Sequence, residues 1–162
     1  MNVFLSDLHP RVRFVGFGSV QICGEIQQVE ILVTRPMPVI DNLALDEAMA
    51  REAAADGRWR LRLWWRLGIE VLKRSTGGGT VLQTPDVFNY SLVGPSPASL
   101  DIRAIFGSGI RLLVNTLAEL GLSGEPRGIS DVAVGDRKIS GNAMARRWGG
   151  LLLHGTLLMD MD

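Results

Sequence analysis

Apolar residues recur at three- and four-residue steps through Ile102, Ile105, Phe106, Ile110, Leu113, Leu117 and Leu120. That spacing predicts an amphipathic helix over residues 101–120, ended by Gly121. A second helix is expected from a cap at Asp41 or Asn42 through Ala44, Leu45, Ala48, Met49 and Ala53 to about Ala55. Asp46, Glu47 and Arg51 fall mostly off its apolar side, and Asp56-Gly57 stops it. Shorter apolar or alternating runs read as strands at residues 29–33, 61–65, 69–74 and 87–93. Pro36 and Pro38 act as breakers after the first, and Gly94-Pro95-Ser96-Pro97 closes the last. Residues 131–134 and 137–140 flank Gly135-Asp136, a two-residue hairpin turn, and residues 143–148 and 151–159 form a second hairpin about Gly149-Gly150. Residues 123–128 read as a loop. Residues 15–18, Val-Gly-Phe-Gly, resemble the start of a dinucleotide glycine loop, but Gln21 stands where a third glycine belongs, so a turn is expected.

Strands near both ends with few helices between them predict an α+β fold: a mixed, largely antiparallel sheet with helices packed on it. Residues 39–162 read as the core and residues 1–38 as an N-terminal segment without assignment, together making one compact domain. Neither a repeat nor a low-complexity tract is present.

Composition narrows the function classes. Apolar residues make up 46% and charged residues 21%, which fits a globular chain. Seventeen basic residues balance seventeen acidic ones, so no overall field points at nucleic acid or an anionic membrane. The pair Arg146-Arg147 beside Trp148 is too small a patch to change that. No apolar run approaches the ~18–20 residues that span a bilayer, and residues 1–10 lack a signal pattern. A single cysteine, Cys23, excludes an internal disulfide framework. The expectation is a soluble cytoplasmic protein.

Two segments carry candidate chemistry. In Arg74-Ser75-Thr76-Gly77-Gly78-Gly79-Thr80-Val81, three consecutive glycines carry a large entropic cost, which suits a backbone that must approach a ligand closely. Bare N–H groups there, with an arginine at the entrance, suit phosphate or carboxylate oxygens. The bland alternative is a flexible loop with a surface arginine. In the segment from Ser130 to Ala143, Lys138 follows a tight turn and precedes the small residues Ser140-Gly141-Asn142-Ala143. A lysine there can neutralise charge on phosphoryl oxygens or an acyl oxyanion, and Asp131 can meet Mg²⁺ beside a triphosphate. An exposed hairpin with a solvated lysine is the plain reading. His154 in its apolar strand reads as a structural histidine, and Cys23, without a nearby base, as structural.

Taken in order, these residues resemble the lipoate–protein ligase branch of the biotin/lipoate ligase family. The blocks are Asn42-Leu43-Ala44-Leu45-Asp46-Glu47-Ala48, Leu61-Arg62-Leu63-Trp64, Arg74 through Val81, Asn89-Tyr90-Ser91-Leu92, Ser130-Asp131-Val132, Lys138-Ile139-Ser140-Gly141-Asn142-Ala143 and Leu153-His154-Gly155-Thr156-Leu157-Leu158. The resemblance implies the class II synthetase-like catalytic fold of those ligases. It implies ATP and Mg²⁺, lipoate or octanoate as the acid, an acyl-adenylate intermediate and transfer to a lysine of a lipoyl-carrier domain. By that resemblance Lys138 is the essential lysine. Arg74, Thr76, Gly77, Gly78, Gly79, Thr80, Val81, Asn89, Asp131, Ser140, Gly141, Ala143 and His154 are expected to line the acid and nucleotide sites, with Asp131 also meeting the metal.

Between Trp65 and Ile69 only Arg66, Leu67 and Gly68 stand where the family carries a further strand and loop, and the chain stops at Asp162, soon after the His154 strand. The sequence therefore reads as a shortened member, with room for a separately encoded accessory subunit. Two alternatives stay open: a non-catalytic form that binds acid, nucleotide or carrier domain, and an octanoyltransferase using Cys23 as its thiol nucleophile.

Overall fold

The computed structural model describes residues 12–67, 72–84, 86–96, 99 and 101–159. The elements are β1 (Val12–Ile22), β2 (Glu25–Pro38), α1 (Val39–Asp56), β3 (Trp59–Leu67), β4 (Val87–Pro95), α2 (Ile102–Glu119), β5 (Gly124–Arg127), β6 (Asp131–Val134), β7 (Arg137–Arg147) and β8 (Gly150–Leu158). All eight strands form one sheet in the order β1-β2-β3-β4-β8-β7-β6-β5. Only β2 and β3 run parallel, bridged by α1; every other pairing is antiparallel. The mixed, mostly antiparallel sheet with two packed helices is as expected.

The helices cover opposite faces. Leu45, Met49, Ala50 and Ala53 of α1 pack with Leu32, Met37, Val93 and Leu152. Ile105 of α2 packs with Leu92, Leu151 and Leu153, and Ile110, Leu113 and Leu117 with Tyr90 and Val132. Successive strand residues point to opposite faces, so Leu152 meets α1 while Leu151 and Leu153 meet α2. A strand buried on both sides reads as an unbroken apolar run, hence Leu151-Leu152-Leu153.

The helix ends follow local chemistry. The Asp101 carboxylate accepts the Arg103 N–H at 2.9 Å and caps α2. Gly57 ends α1 in the left-handed region with its N–H on the Ala53 carbonyl. The N-cap of α1 is Pro38, however, not Asp41 or Asn42. Asn42 instead turns inward, its amide donating to the Met37, Pro38 and Trp65 carbonyls.

Other expectations are corrected by the sheet. Residues 15–18 lie within β1, and the β1–β2 turn falls at Cys23 and Gly24, both with positive φ. Pro36 does not end β2: it sits where the register against β3 slips between Thr34 and Met37, so its missing N–H costs no ladder bond. Residues 123–128 contain β5. Of the strand expected at 69–74, residues 69–71 lie outside the described residues and Leu72, Lys73 and Arg74 are not in a strand. Ile102 and Leu120, expected on the apolar stripe of α2, lie 45% and 70% exposed at its two ends. Asp46 is fully buried rather than turned to solvent.

Candidate active site

The register places a band of polar residues on the α1 face, its first rung packed against Asn42 and Asp46 in the N-terminal half of that helix. His154 pairs with Ser91 on β4 and Ala143 on β7, and Ser91 pairs with Arg62 on β3. The next same-face rung joins Trp64, Asn89, Thr156, Gly141 and Asp131. Directly opposed residues share a face, and alternate residues of one strand stand about 7 Å apart.

At one end of this band the Lys138 amine meets the Asp131 carboxylate at 2.7 Å. A Cβ on Gly141 would lie 3.3 Å from that amine, so the bare glycine lets the lysine lie across β7. Burial alone would raise the Asp131 carboxyl. Hydrogen bonds from Lys138 and Ser130, with the lysine's charge, outweigh it and hold the group below the ordinary carboxylate value.

The glycine segment reaches the same face through Thr76. Its hydroxyl lies 2.6 Å from His154 Nε2, and both residues are buried. Gly77, Gly78, Gly79, Thr80 and Val81 are exposed beyond that anchor. Arg74 folds back on the loop, donating to the Gly77 and Gly79 carbonyls at 2.9 and 3.2 Å. Gly78 has φ 100°, a backbone conformation that favours glycine, and a Cβ there would lie 2.7 Å from the movable Arg74 guanidinium.

Behind the band lies a buried charge network that the sequence reading missed. Arg62 donates to Thr34 at 2.6 Å, to the Asn42 carbonyl at 3.1 Å, to Asp46 at 2.7 Å and to the Asn42 side-chain oxygen. Asp46 also accepts from Ser91 at 2.7 Å and faces His154 Nδ1 at 3.6 Å. Desolvation lowers the Arg62 pKa, and the Asp46 charge and hydrogen bond oppose it. A signal was present: Arg62 alternates with Leu61 and Leu63 in a strand between other strands, and a cation so placed needs a carboxylate partner.

Not every expected site residue joins the band. Ser140 is fully buried and bonded to Asn142 at 3.2 Å, and Asn142 accepts from Tyr90, which packs with α2 on the opposite face. Asn89 is buried in the second rung and accepts from Gln83 at 2.8 Å. Ala143 is the buried partner of His154. Cys23 packs beside Val20, Ile22 and Ile105, with its backbone N–H on Ser108 of α2 at 3.1 Å. That is the α2 face, away from Lys138. Among the described residues, no group of three or more His, Cys, Asp or Glu could hold a metal ion, and no helix is long and apolar enough to cross a membrane.

A mixed, mostly antiparallel eight-stranded sheet flanked by two helices is similar to the catalytic fold of lipoate ligases. Residues 60–162 match the family model of the lipoyl protein ligase A/B catalytic domain, and the chain belongs to that family. Subunit 1 of lipoate-protein ligase A from Thermoplasma acidophilum is 34% identical over 59% of this chain and 40% of its own length. An octanoyltransferase of Carboxydothermus hydrogenoformans is 28% identical over 75% of this chain and 61% of its own. Among solved structures, a bipartite lipoate protein ligase from Thermoplasma acidophilum, studied with its E2 lipoyl domain, superposes with TM-score 0.72 at 29% identity, over 83% of this chain and 61% of that one. A lipoate-protein ligase A bound with ATP gives 0.72 at 27%, over 82% and 67%. A Thermoplasma acidophilum protein with bound lipoic acid gives 0.72 at 27%, over 82% and 68%. The chain spans 40% to 54% of the length of the first curated relatives it matches.

Proposed function

We propose that this chain is the adenylate-forming core of a lipoate–protein ligase. The observation that carries the reading is the placement of the Lys138 amine and the Thr76 anchor of the glycine loop on adjacent rungs of one sheet face. Solved relatives of this fold, at 27% identity, bind ATP or lipoic acid.

In the first step the acid's carboxylate attacks the α-phosphate of ATP, giving acyl-adenylate and pyrophosphate. Negative charge grows on phosphoryl oxygens, where the protonated Lys138 amine and the exposed N–H groups of Gly77, Gly78 and Gly79 would stabilise it. In the second step the ε-amine of a lysine on a lipoyl-carrier domain attacks the acyl carbon and expels AMP. Lys138 would stay protonated, while the acceptor lysine must lose its proton. The Asp131 carboxylate lies 2.7 Å from the Lys138 amine and holds it on this face. Mg²⁺ would be held by the triphosphate with Asp131 as its single carboxylate, as Mg²⁺ commonly binds, and would offset charge on the departing pyrophosphate. A separate subunit is part of the proposal, since the Thermoplasma relative is a bipartite ligase.

The octanoyltransferase reading is disfavoured by position. Such a route needs a thiol at the acyl carbon, and Cys23 lies on the other face of the sheet. The test is pyrophosphate exchange into ATP with lipoate and Mg²⁺. Wild-type exchange should fall at least a hundredfold in Lys138→Ala, since removing one transition-state charge contact commonly costs about 10²–10³ in rate. Exchange retained in that variant would refute it, as would lipoate and ATP bound by the wild type without exchange when the accessory subunit is also present.

A further inference from the structure

We infer that Asn142 is a positioning residue for Lys138: its amide clamps Ser130 and so fixes one end of a β-bulge that turns the lysine onto the face of the glycine loop. The inference rests on the ligase reading for its catalytic consequence; the bulge and its clamp are statements about β6 and β7.

The two ends of the β6–β7 pairing are out of step by one residue. At the hairpin end the Gly135-Asp136 turn sets Val134 opposite Arg137, and at the other end Asp131 opposes Gly141. Between those rungs β6 has two residues, Val132 and Ala133, and β7 has three, Lys138, Ile139 and Ser140. The register slips between Val132 and Ala133, so Ser140 opposes Val132, Lys138 opposes Ala133 and Ile139 is the extra residue. Without the slip, counting from the Asp131–Gly141 rung, Lys138 would oppose Val134 and share the face of Val132, which packs with α2. A shift of one residue reverses the face of each side chain. With the slip, Ile139 takes the α2 face and packs with Tyr90, Ile110 and Val132. Lys138 takes the other, lying across Gly141 to reach Asp131 at 2.7 Å.

Asn142 holds the far end of the bulge. The Ser130 carbonyl accepts two bonds from this one residue, from its backbone N–H at 2.9 Å and from its side-chain amide at 2.8 Å. The Asn142 side-chain oxygen accepts from the buried Tyr90 hydroxyl, and the amide also donates to Ser140 at 3.2 Å. Ser130 passes the restraint on, its hydroxyl donating to Asp131 at 2.9 Å. The amide thus lies with Tyr90 on the α2 face, opposite the Lys138 amine, and acts on the reaction through Asp131 and Lys138 rather than by contact.

Backbone NMR reads the register directly, through cross-strand contacts of Lys138 with Ala133 in the bulged pairing or with Val134 in the unbroken one. Wild type should show the first. In Asn142→Leu, which keeps the volume and loses the clamp, the second should appear. Pyrophosphate exchange should then fall about tenfold in kcat, with KM for lipoate held within about twofold. Asn142→Asp keeps the shape. Its carboxylate cannot donate to Ser130 but the neutral acid can, so its exchange relative to wild type should rise as pH falls from about 8 to about 5. The unbroken register in the wild type would overturn the inference, as would a flat pH ratio in Asn142→Asp. So would an intact bulge in Asn142→Leu, whether exchange is kept or lost, or wild-type exchange despite a shifted register. A register that shifts in Asn142→Leu, in a protein whose wild type shows no exchange with its accessory subunit, would keep the bulge and remove the ligase reading.

Discussion

At the scale of single residues, the chemistry of this chain is decided by which polar groups are buried and what they face. Tyr90 shows how. Burial pushes its phenol up to about 12 from 10.0, opposed only partly by its hydrogen bond with Ser140. The neutral phenol is favoured in the fold, so its contribution to stability is complete below pH 10 and is lost as pH rises from 10 towards 12. Wild type should lose on the order of 2 kcal/mol over that window, from the shift of about two units. Tyr90→Phe should show a flatter alkaline limb in denaturant titrations at pH 9 and pH 11. Lys138 and Asp131 present the contrasting case, two charged groups paired at the edge of the site and half-open to water. The sequence marked both, because a lysine after a tight turn and before small residues is an unusual pattern. It marked Ser140 equally, and the register turned that side chain to the other face.

At the scale of elements, helices and sheet meet at glycines. A Cβ on Gly150 would lie 2.1 Å from the Ala50 carbonyl oxygen of α1, and one on Gly109 of α2 would lie 2.0 Å from Leu153. The two collisions differ in kind. A leucine side chain can rotate, whereas a helix carbonyl moves only with its helix. Gly150→Ala should therefore push α1 off the sheet and destabilise the protein by about 1–3 kcal/mol, the usual range for overpacking. Gly109→Ala offers a gentler comparison in the same urea titration. Because the N-terminal half of α1 carries Asn42 and Asp46, the displacement bears on the site as well as on the core.

At the scale of the whole molecule, one buried ion pair joins the layers. Arg62 on β3 reaches β2 through Thr34 and α1 through Asn42 and Asp46, with essentially no exposure at either end of the pair. Removing one charge leaves the other buried without a partner, so Arg62→Met or Asp46→Leu alone should cost about 3–5 kcal/mol. The double replacement should recover much of that loss, since neither desolvated charge remains. Equilibrium denaturation of the three variants tests the pair, and equal losses in single and double variants would contradict it. Asp46 of the same pair lies 3.6 Å from His154 Nδ1, so the core of the fold and the candidate site adjoin.

The sequence by itself determined those features that depend on neighbours along the chain. The period of α2, the Gly135-Asp136 turn and the glycine loop are all set by local backbone preference and by which side of an element must be apolar. It also determined the family, because ordered blocks of residues survive in a chain of this length. Tertiary structure alone decided what depends on register and on partners distant in sequence. Asp46 looked like a solvated position on a helix until a strand sixteen residues on supplied Arg62. His154 looked structural, and the fold places its Nε2 2.6 Å from the Thr76 hydroxyl of the glycine loop. Pairing register fixes which face each strand residue takes, and a shift of one residue reverses every choice, so no reading of local pattern could have assembled that face.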